Sequence, residues 1–391
     1  MTLTVAIFTG SSSDPAGKQG LAFLTAQLLR PPSTILPDDA HWQATVGRDL
    51  TLLRLSLPAG EFTDRYPSIV ESILRPTVDE DRVERQRASQ GRAMRSLLDR
   101  PRALVAQAFD GLAFQNHPYA HPVEGTIESL ETLTSADVLG FHAELCRKGN
   151  VIVGLEGPYD PALLEKIRAA FDPLPEGTPD RLAAGVSYLT RPRVLVARSD
   201  AAAETWVMMG HPITTAPAHP DHFEMEAIRT HLALIAGGDQ GRPGALPRNQ
   251  SELTVAFHDA GAGAAERIAI LLESWKSLAS KGLPEARVES IRRRLIAEHA
   301  AAQEDPGALI RASIEQLFNR TPGYDERYEA SVRAITPERL AAVASRQVFP
   351  ERIAIAVITP DTEGFIRGLR HKIPRFSRED FIVVPAAELL H

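Results

Sequence analysis

The sequence predicts an α+β protein of two homologous domains, each a largely antiparallel sheet packed with helices. Three observations predict it: a chain of 391 residues, an internal repeat, and strands that follow one another with no crossover helix between them. A chain of this length exceeds what one hydrophobic core usually organises, so two domains of about 150 to 200 residues are expected. The repeat supplies the division. The segment LTSADVLGFHAELCRKGNVIVGLEG from Leu133 realigns with ITPERLAAVASRQVFPERIAIAVITPD from Ile335 at a constant offset of 202 residues. In each copy Thr134 or Thr336 stands where it can cap a helix whose apolar face carries Val138 and Phe141, or Leu340 and Val343. Each copy then runs into a period-two strand, with Val151, Val153 and Leu155 matching Ile353, Ile355 and Val357. Upstream, VERQRASQGRAM from Val83 and VESIRRRLIAEH from Val288 share an offset of 205, as do Pro101, Ala103 and Leu104 with Pro306, Ala308 and Leu309. An indel of three residues reconciles the two offsets.

The halves are expected at 1–180 and 190–391, joined by the Pro- and Gly-containing stretch FDPLPEGTPDRLAAGVSYLTRP. Strands are predicted at Leu3 to Phe8, Leu52 to Leu57, Val194 to Ala197 and Thr205 to Met209. Long helices are predicted at Gly20 to Arg30, Val83 to Leu98 and Ala264 to Ala279.

Composition excludes several classes. A hydrophobic fraction of 43% with 24% charged residues is that of a folded globular protein. A net charge of −7 and a pI near 6.0 argue against a phosphate-tracking surface, the local cluster Arg292, Arg293 and Arg294 notwithstanding. No nucleic-acid partner is expected. No apolar run approaches the ~18 residues of a membrane span, and the first residues lack a basic and then apolar leader pattern, so no membrane association and a cytoplasmic location are expected. The single cysteine, Cys146, cannot close an intrachain disulfide and reads as packing at the end of a helix.

The segment TVAIFTGSSSDPAGKQGLAFLTAQLLR resembles the active-site segment of the pitrilysin family, the inverted-zinc-motif peptidases that include insulinase and the mitochondrial processing peptidase. That family's pattern runs strand, Gly-Ser, acidic-Pro-x-Gly-Lys, then Gly-Leu-Ala-His-Phe-Leu-Glu-His on a helix. Its H-x-x-E-H motif sets two histidines on one helical face as zinc ligands and a glutamate as general base. Here Phe23 stands at the first histidine position, Ala26 at the glutamate and Gln27 at the second histidine. The family's third ligand, a glutamate on a later helix, aligns with Ala93, and Gln86 stands where a second acid is usual. Phe and Ala carry no donor atom and a lone amide oxygen is a weak ligand, so this chain is expected to hold no zinc of its own. As plain structure, the segment is an amphipathic helix that turns Leu21, Leu24 and Leu28 to a core.

FQNHPYAHPVEGTIESLETLTSADVLGFH and SDAAAETWVMMGHPITTAPAHPDHFEMEAIRTHLALIAGG extend the resemblance over nearly the whole chain. The family usually begins with a further strand before the one at Leu3, and this sequence has none. The resemblance also implies a substrate-facing arginine with a tyrosine seven residues later. In LPRNQSELTV, Arg248 takes the arginine position and Leu253 matches the family's leucine, while Val255 replaces the tyrosine. Arg248 is thus the candidate substrate-binding residue, set against a solvated loop arginine.

Other constellations are read as structural. His117 with His121, and His219 with His222, are spaced for metal but flanked by prolines that oppose a continuous helix. GSSSDPAGK separates its glycines wrongly for a phosphate loop and has Gln19 after Lys18. GGDQGRPG from Gly237 resembles a Gly-rich loop of non-catalytic family members, and turn formation also explains it.

The resemblance implies a catalytically inactive subunit that pairs with a zinc-bearing homologous peptidase subunit to enclose and position a peptide substrate, the zinc residing in the partner. The alternative is a self-associating peptide-binding or scaffold protein, a homodimer when alone, with no proteolytic role. An unrelated enzyme activity at another site is the third reading.

Overall fold

The computed structural model describes residues 1–179, 185–237, 246, 248–259 and 263–391. The first half runs β1 (Thr2–Ile7), α1 (Leu21–Leu28), β2 (His41–Val46), β3 (Thr51–Ser56), α2 (Ala59–Leu74), α3 (Glu80–Arg95), α4 (Pro101–Ala113), α5 (Ile127–Glu131), α6 (Ser135–Leu145), β4 (Val151–Glu156) and α7 (Pro161–Ala170). The second runs β5 (Arg193–Arg198), β6 (Thr205–Ile213), α8 (His222–Ile235), β7 (Ser251–Asp259), α9 (Gly263–Lys281), α10 (Glu285–Ala302), α11 (Pro306–Asn319), α12 (Tyr324–Arg333), α13 (Pro337–Gln347), β8 (Ala354–Thr359), α14 (Thr362–Lys372) and β9 (Phe381–Pro385). Of the joining stretch, 180–184 lies outside the described residues, as does all of the Gly-rich loop after Gly237.

The two sheets share a core of three strands. In the first, ordered β2-β3-β1-β4, β1 pairs antiparallel with β3 and β4, so that Val5 faces Leu53 on one side and Val153 on the other. In the second, ordered β7-β6-β8-β5-β9, β6 pairs antiparallel with β7 and β8, and Met209 lies between Val255 and Ile355. β3-β1-β4 therefore answers to β7-β6-β8. The α+β class with predominantly antiparallel sheets is the observed one, with one qualification: β5 runs parallel to both β8 and β9, so the second sheet is mixed. β2, β7 and β9 were not among the predicted strands.

The repeated caps form as their sequence requires. Thr134 accepts the N–H of Asp137, and Thr336 accepts the N–H of Arg339, each at the start of the helix that leads into β4 or β8.

Each sheet alternates in and out, and its two faces are covered by different halves. Leu3, Val5, Ile7, Leu53 and Leu55 pack beneath α1, α2 and α7 of their own half. The opposite face of that sheet, with Ala6, Leu50 and Leu52, meets Ile314 of α11 from the second half, and Phe8 sets its ring edge-on to Phe318 at 5.5 Å. The second sheet reverses the arrangement. Val194, Val207, Met209, Val255 and Ile355 pack under helices of the second half, including Trp275 of α9. The other face, with Ala356, Ile358 and Met208, is covered by α4 of the first half through Leu104, Val105, Phe109 and Leu112. α4 and α11 are repeat equivalents at the offset of 205, so the halves exchange one helix each.

Candidate functional site

α1 begins after a sharp turn that fixes its position. Gly20 adopts φ +88°, where a side chain is strained, and a Cβ there would lie 2.4 Å from the Glu124 carbonyl oxygen. Gly125, at φ +86°, makes the reciprocal approach to the Gln19 carbonyl at 2.3 Å. The Asp14 carboxylate accepts the N–H groups of Gly20 and Ala22 at 2.7 Å each, which occupies two of the backbone donors at the start of α1. Burial pushes the Asp14 carboxyl up to about 7, against the lowering effect of those two bonds and of Arg48. Lys18 does not face an open phosphate cradle, because its ammonium binds Asp137 at 2.9 Å and the Thr132 carbonyl at 2.7 Å.

Phe23 and Gln27, one turn apart, are half-buried, whereas Ala26 is buried and packs among Leu3, Val5 and Leu53 beneath the sheet. The Gln27 amide donates to the Ala44 carbonyl of β2 at 3.5 Å. α3 lies against α1, and the residue that reaches it is Gln90, which is buried and donates to the Glu124 carbonyl at 2.6 Å and the Gly20 carbonyl at 3.5 Å. Ala93, which the resemblance places at the third-ligand position, is exposed on α3, three residues beyond Gln90. Val83, Gln90 and Met94 belong to the buried stripe of α3. Among the described residues, no three His, Cys, Asp or Glu side chains converge to hold a metal ion. Phe23, Ala26, Gln27 and either Ala93 or Gln90 do not fit a zinc ion, since no imidazole, thiolate or carboxylate is among them.

Arg248 sits at the junction of the halves. Its guanidinium lies 3.2 Å from Glu252, 3.8 Å from Asp110 of α4, and over the Tyr119 ring at 5.7 Å. Only 13% of its side chain is exposed. Asp110 also pairs with Arg48 at 2.6 Å, both being 3% exposed, and Arg48 further donates to the His121 carbonyl. Beside them Tyr119 donates to Asp49, while the Asn249 N–H is accepted by Asp49 at 2.7 Å and the Gln250 N–H by the Tyr119 hydroxyl at 3.3 Å. Burial first, then the Asp49 charge, raises the Tyr119 hydroxyl above its ordinary pKa and keeps it a donor. First-half side chains thus grip the strand entrance at 248–250. Val255, which takes the tyrosine position of the implied pair, points into the core of the second half and is fully buried. The histidine pairs do not converge: the Nδ1 atoms of His117 and His219 accept N–H groups two residues on, from Tyr119 and Asp221, and His121 and His222 bond elsewhere.

The sequence did not point to Arg48, Asp49, Asp110 and Tyr119 because the side-chain partners named for them are 37 to 200 residues away. A further cavity of about 540 Å³ at this junction is lined by Ser12, Asp49, His117, Tyr119 and Asn249.

By sequence, no family model and no curated protein matches the chain. By structure, it is similar to a protease from Helicobacter pylori, with a TM-score of 0.76 at 16% identity over 92% of this chain and 94% of that one. It is similar to a peptidase M16 inactive domain from Pseudomonas fluorescens, with a TM-score of 0.75 at 18% identity over 92% and 93%. A chain of the Candida albicans Complex III2 matches with a TM-score of 0.76 at 16% identity over 95% and 94%. The first half of the periplasmic protease PqqL from Escherichia coli matches over 96% of this chain, with a TM-score of 0.74 at 13% identity, and the longer PqqL chain is covered to 43%.

Proposed function

We propose that this chain, which has the fold of the pitrilysin-type (M16) peptidases, is a non-catalytic subunit that pairs with a zinc-bearing homologue and forms one wall of a peptide chamber. One observation carries the reading: the fold is kept over nearly the full length, while at the positions where the sequence resemblance implies ligands and base the chain has Phe23, Ala26 and Gln27. The Pseudomonas fluorescens neighbour bears the description of an inactive domain, and the PqqL chain spans about two such units, which supports pairing of a dead half with a live one. The zinc, its water and the general base would belong to the partner. This chain supplies wall, the Arg248 contact, and edge strands to which an extended peptide can add by backbone hydrogen bonds. A cytoplasmic location accompanies the proposal; among the described residues no helix is long and apolar enough to cross a membrane.

The test is reconstitution. Mixing the chain with a homologue that carries H-x-x-E-H should produce peptide hydrolysis that neither shows alone, and Arg248→Ala should reduce kcat/KM of the mixture by roughly 10- to 150-fold, the worth of a charge-assisted hydrogen bond. Elemental analysis of this chain alone after zinc saturation and dialysis should find no stoichiometric metal. Hydrolysis by the homologue alone, unchanged on mixing, would leave the second reading in front: a self-associating scaffold without a proteolytic role. Two observations favour that reading, the buried Val255 at the tyrosine position and the likeness to a chain of Complex III2.

A further inference from the structure

A cavity of about 410 Å³ opens among α8, α10, α11 and α12 of the second half. These helices are the counterparts of α1, α3, α4 and α5, so the cavity lies against the helix pair that answers to the degenerate ligand positions of the first half. Its wall is polar. His222 of α8 is 6% exposed; its Nε2 shares a 2.7 Å hydrogen bond with the Tyr324 hydroxyl, and its Nδ1 is buried with no partner. One turn on, Glu226 also bonds the Tyr328 hydroxyl, yet its Oε2 is buried with no partner. Glu315 of α11 and Asp325 of α12 line the same space. Burial pushes the Glu226 carboxyl up to about 7 and raises that of Glu315.

The cations nearby are committed. Arg229 lines the cavity and its charge acts on the Glu226 carboxyl, while its guanidinium hydrogens go to Ser251 Oγ at 2.7 Å and to the Glu252 carbonyl at 3.3 Å. His299 lies flat on the Tyr328 ring with centroids 3.9 Å apart. Glu298 already pairs with Arg294 at 2.7 Å. Gln316 donates its amide to Asp325 Oδ2 at 2.6 Å and His299 Nε2 lies 3.9 Å from Asp325 Oδ1, so Glu226 Oε2 is the buried carboxylate oxygen left without a partner among the described residues, beside the stacked rings of Tyr324 and Phe223 and the Tyr328 ring.

A buried acceptor with no donor is costly, and a ligand that brings N–H groups and positive charge removes that cost, whereas an anion would add repulsion. Aromatic faces favour the same sign of charge. The volume suits a small organic group. We propose that this cavity binds an organic cation, a primary ammonium or guanidinium group on a short alkyl chain, with Glu226 and Glu315 as acceptors and the Tyr324 and Tyr328 rings as the aromatic wall. The group is either a free amine or an arginine or lysine side chain of a peptide; only the second source rests on the chamber proposed above.

Titration calorimetry on the full chain tests this with agmatine, with the capped peptide acetyl-Ala-Arg-Ala-amide, and with glutarate as an anionic control. Saturable binding of agmatine or the peptide is expected, with none for glutarate. Glu226→Gln should weaken it roughly 10- to 150-fold by removing a charge-assisted bond. Glu315→Gln provides the same readout should the first variant fail to fold. Tighter binding of the capped peptide assigns the site to a peptide side chain, and binding of agmatine alone assigns it to a free amine. No saturable binding of either at millimolar concentration, or binding that the variants leave unchanged, overturns the proposal. None of these measurements needs a catalytic partner, so a failed reconstitution and a failed titration are separate results.

Discussion

Asp110 is the residue on which the junction between the halves depends, because it pairs at once with Arg48 and, at longer range, with Arg248. Removing one partner of a buried pair leaves the other charge uncompensated, so Asp110→Ala should destabilise the protein by about 3–5 kcal/mol in urea denaturation, whereas Asp110→Asn should cost less. An unchanged midpoint would mean that water reaches Arg48. His211 gives a pH-dependent prediction. It is buried, its Nδ1–H donates to the Pro212 carbonyl at 3.0 Å, and its Nε2 accepts the Phe349 N–H at 3.1 Å. A proton on Nε2 would turn that acceptor into a donor facing a donor. Burial accordingly lowers its pKa from 6.5 to about 4. Between those values the unfolded chain binds more protons than the folded one, so this contribution is fully present above pH 6.5 and is lost as pH falls toward 4, by on the order of 3 kcal/mol. Glu226 works in the opposite sense, its raised carboxyl favouring the folded state at lower pH. The decisive measurement therefore compares His211→Gln with the parent: the stability difference between pH 7 and pH 5 should shrink in the variant, and an identical difference would contradict the assignment.

Among elements, α4 and α11 matter most because each serves the sheet of the other half. Local sequence made both readable as helices, since Pro101 and Pro306 suit a first helical turn and both match in the repeat. Their destination was not readable, because an amphipathic stripe states that a face is buried and not which sheet buries it. The small residues Ala354, Ala356 and Ala256 on the second sheet are what let α4 approach. If the exchange holds the halves, segments 1–180 and 190–391 expressed separately should each expose an uncovered sheet face and aggregate, and should regain solubility on co-expression. Independent, monomeric folding of either segment would show the exchanged helix to be dispensable. A milder probe is Phe109→Ala, which removes a buried ring of α4 and should cost about 3–5 kcal/mol.

For the whole molecule, the expectation is association. Among the described residues the sheets end at β2, β4, β7 and β9, and Val383 on β9 is 53% exposed, Leu317 on α11 56% and Ile270 on α9 59%. Unpaired strand edges and exposed apolar side chains favour contact with a second chain. Sedimentation velocity should show a self-associating species for the chain alone, and a mixed species when a zinc-bearing homologue is present. A strictly monomeric profile under both conditions would count against both readings of function.

The sequence by itself determined what repeats and short periods can determine. Thr134 and Thr336 cap their helices, Val151 to Leu155 and Ile353 to Val357 form their strands, and the lack of an imidazole or carboxylate at Phe23, Ala26 and Gln27 is a matter of residue type alone. Tertiary structure decided whatever depends on distant partners or on helix phase. It turned Gln90 of α3 toward the Gly20 and Glu124 carbonyls, because rotation about the helix axis is fixed by packing. It buried Val255 in the core, since strand register chooses the face. It brought Arg48, Asp110 and Arg248 together, and it enclosed Glu226 and His222 in a cavity whose walls come from helices more than a hundred residues apart in the case of His222 and Tyr324. Such contacts leave no local period in a single sequence, because the free energy that selects them arises only when elements distant along the chain pack together.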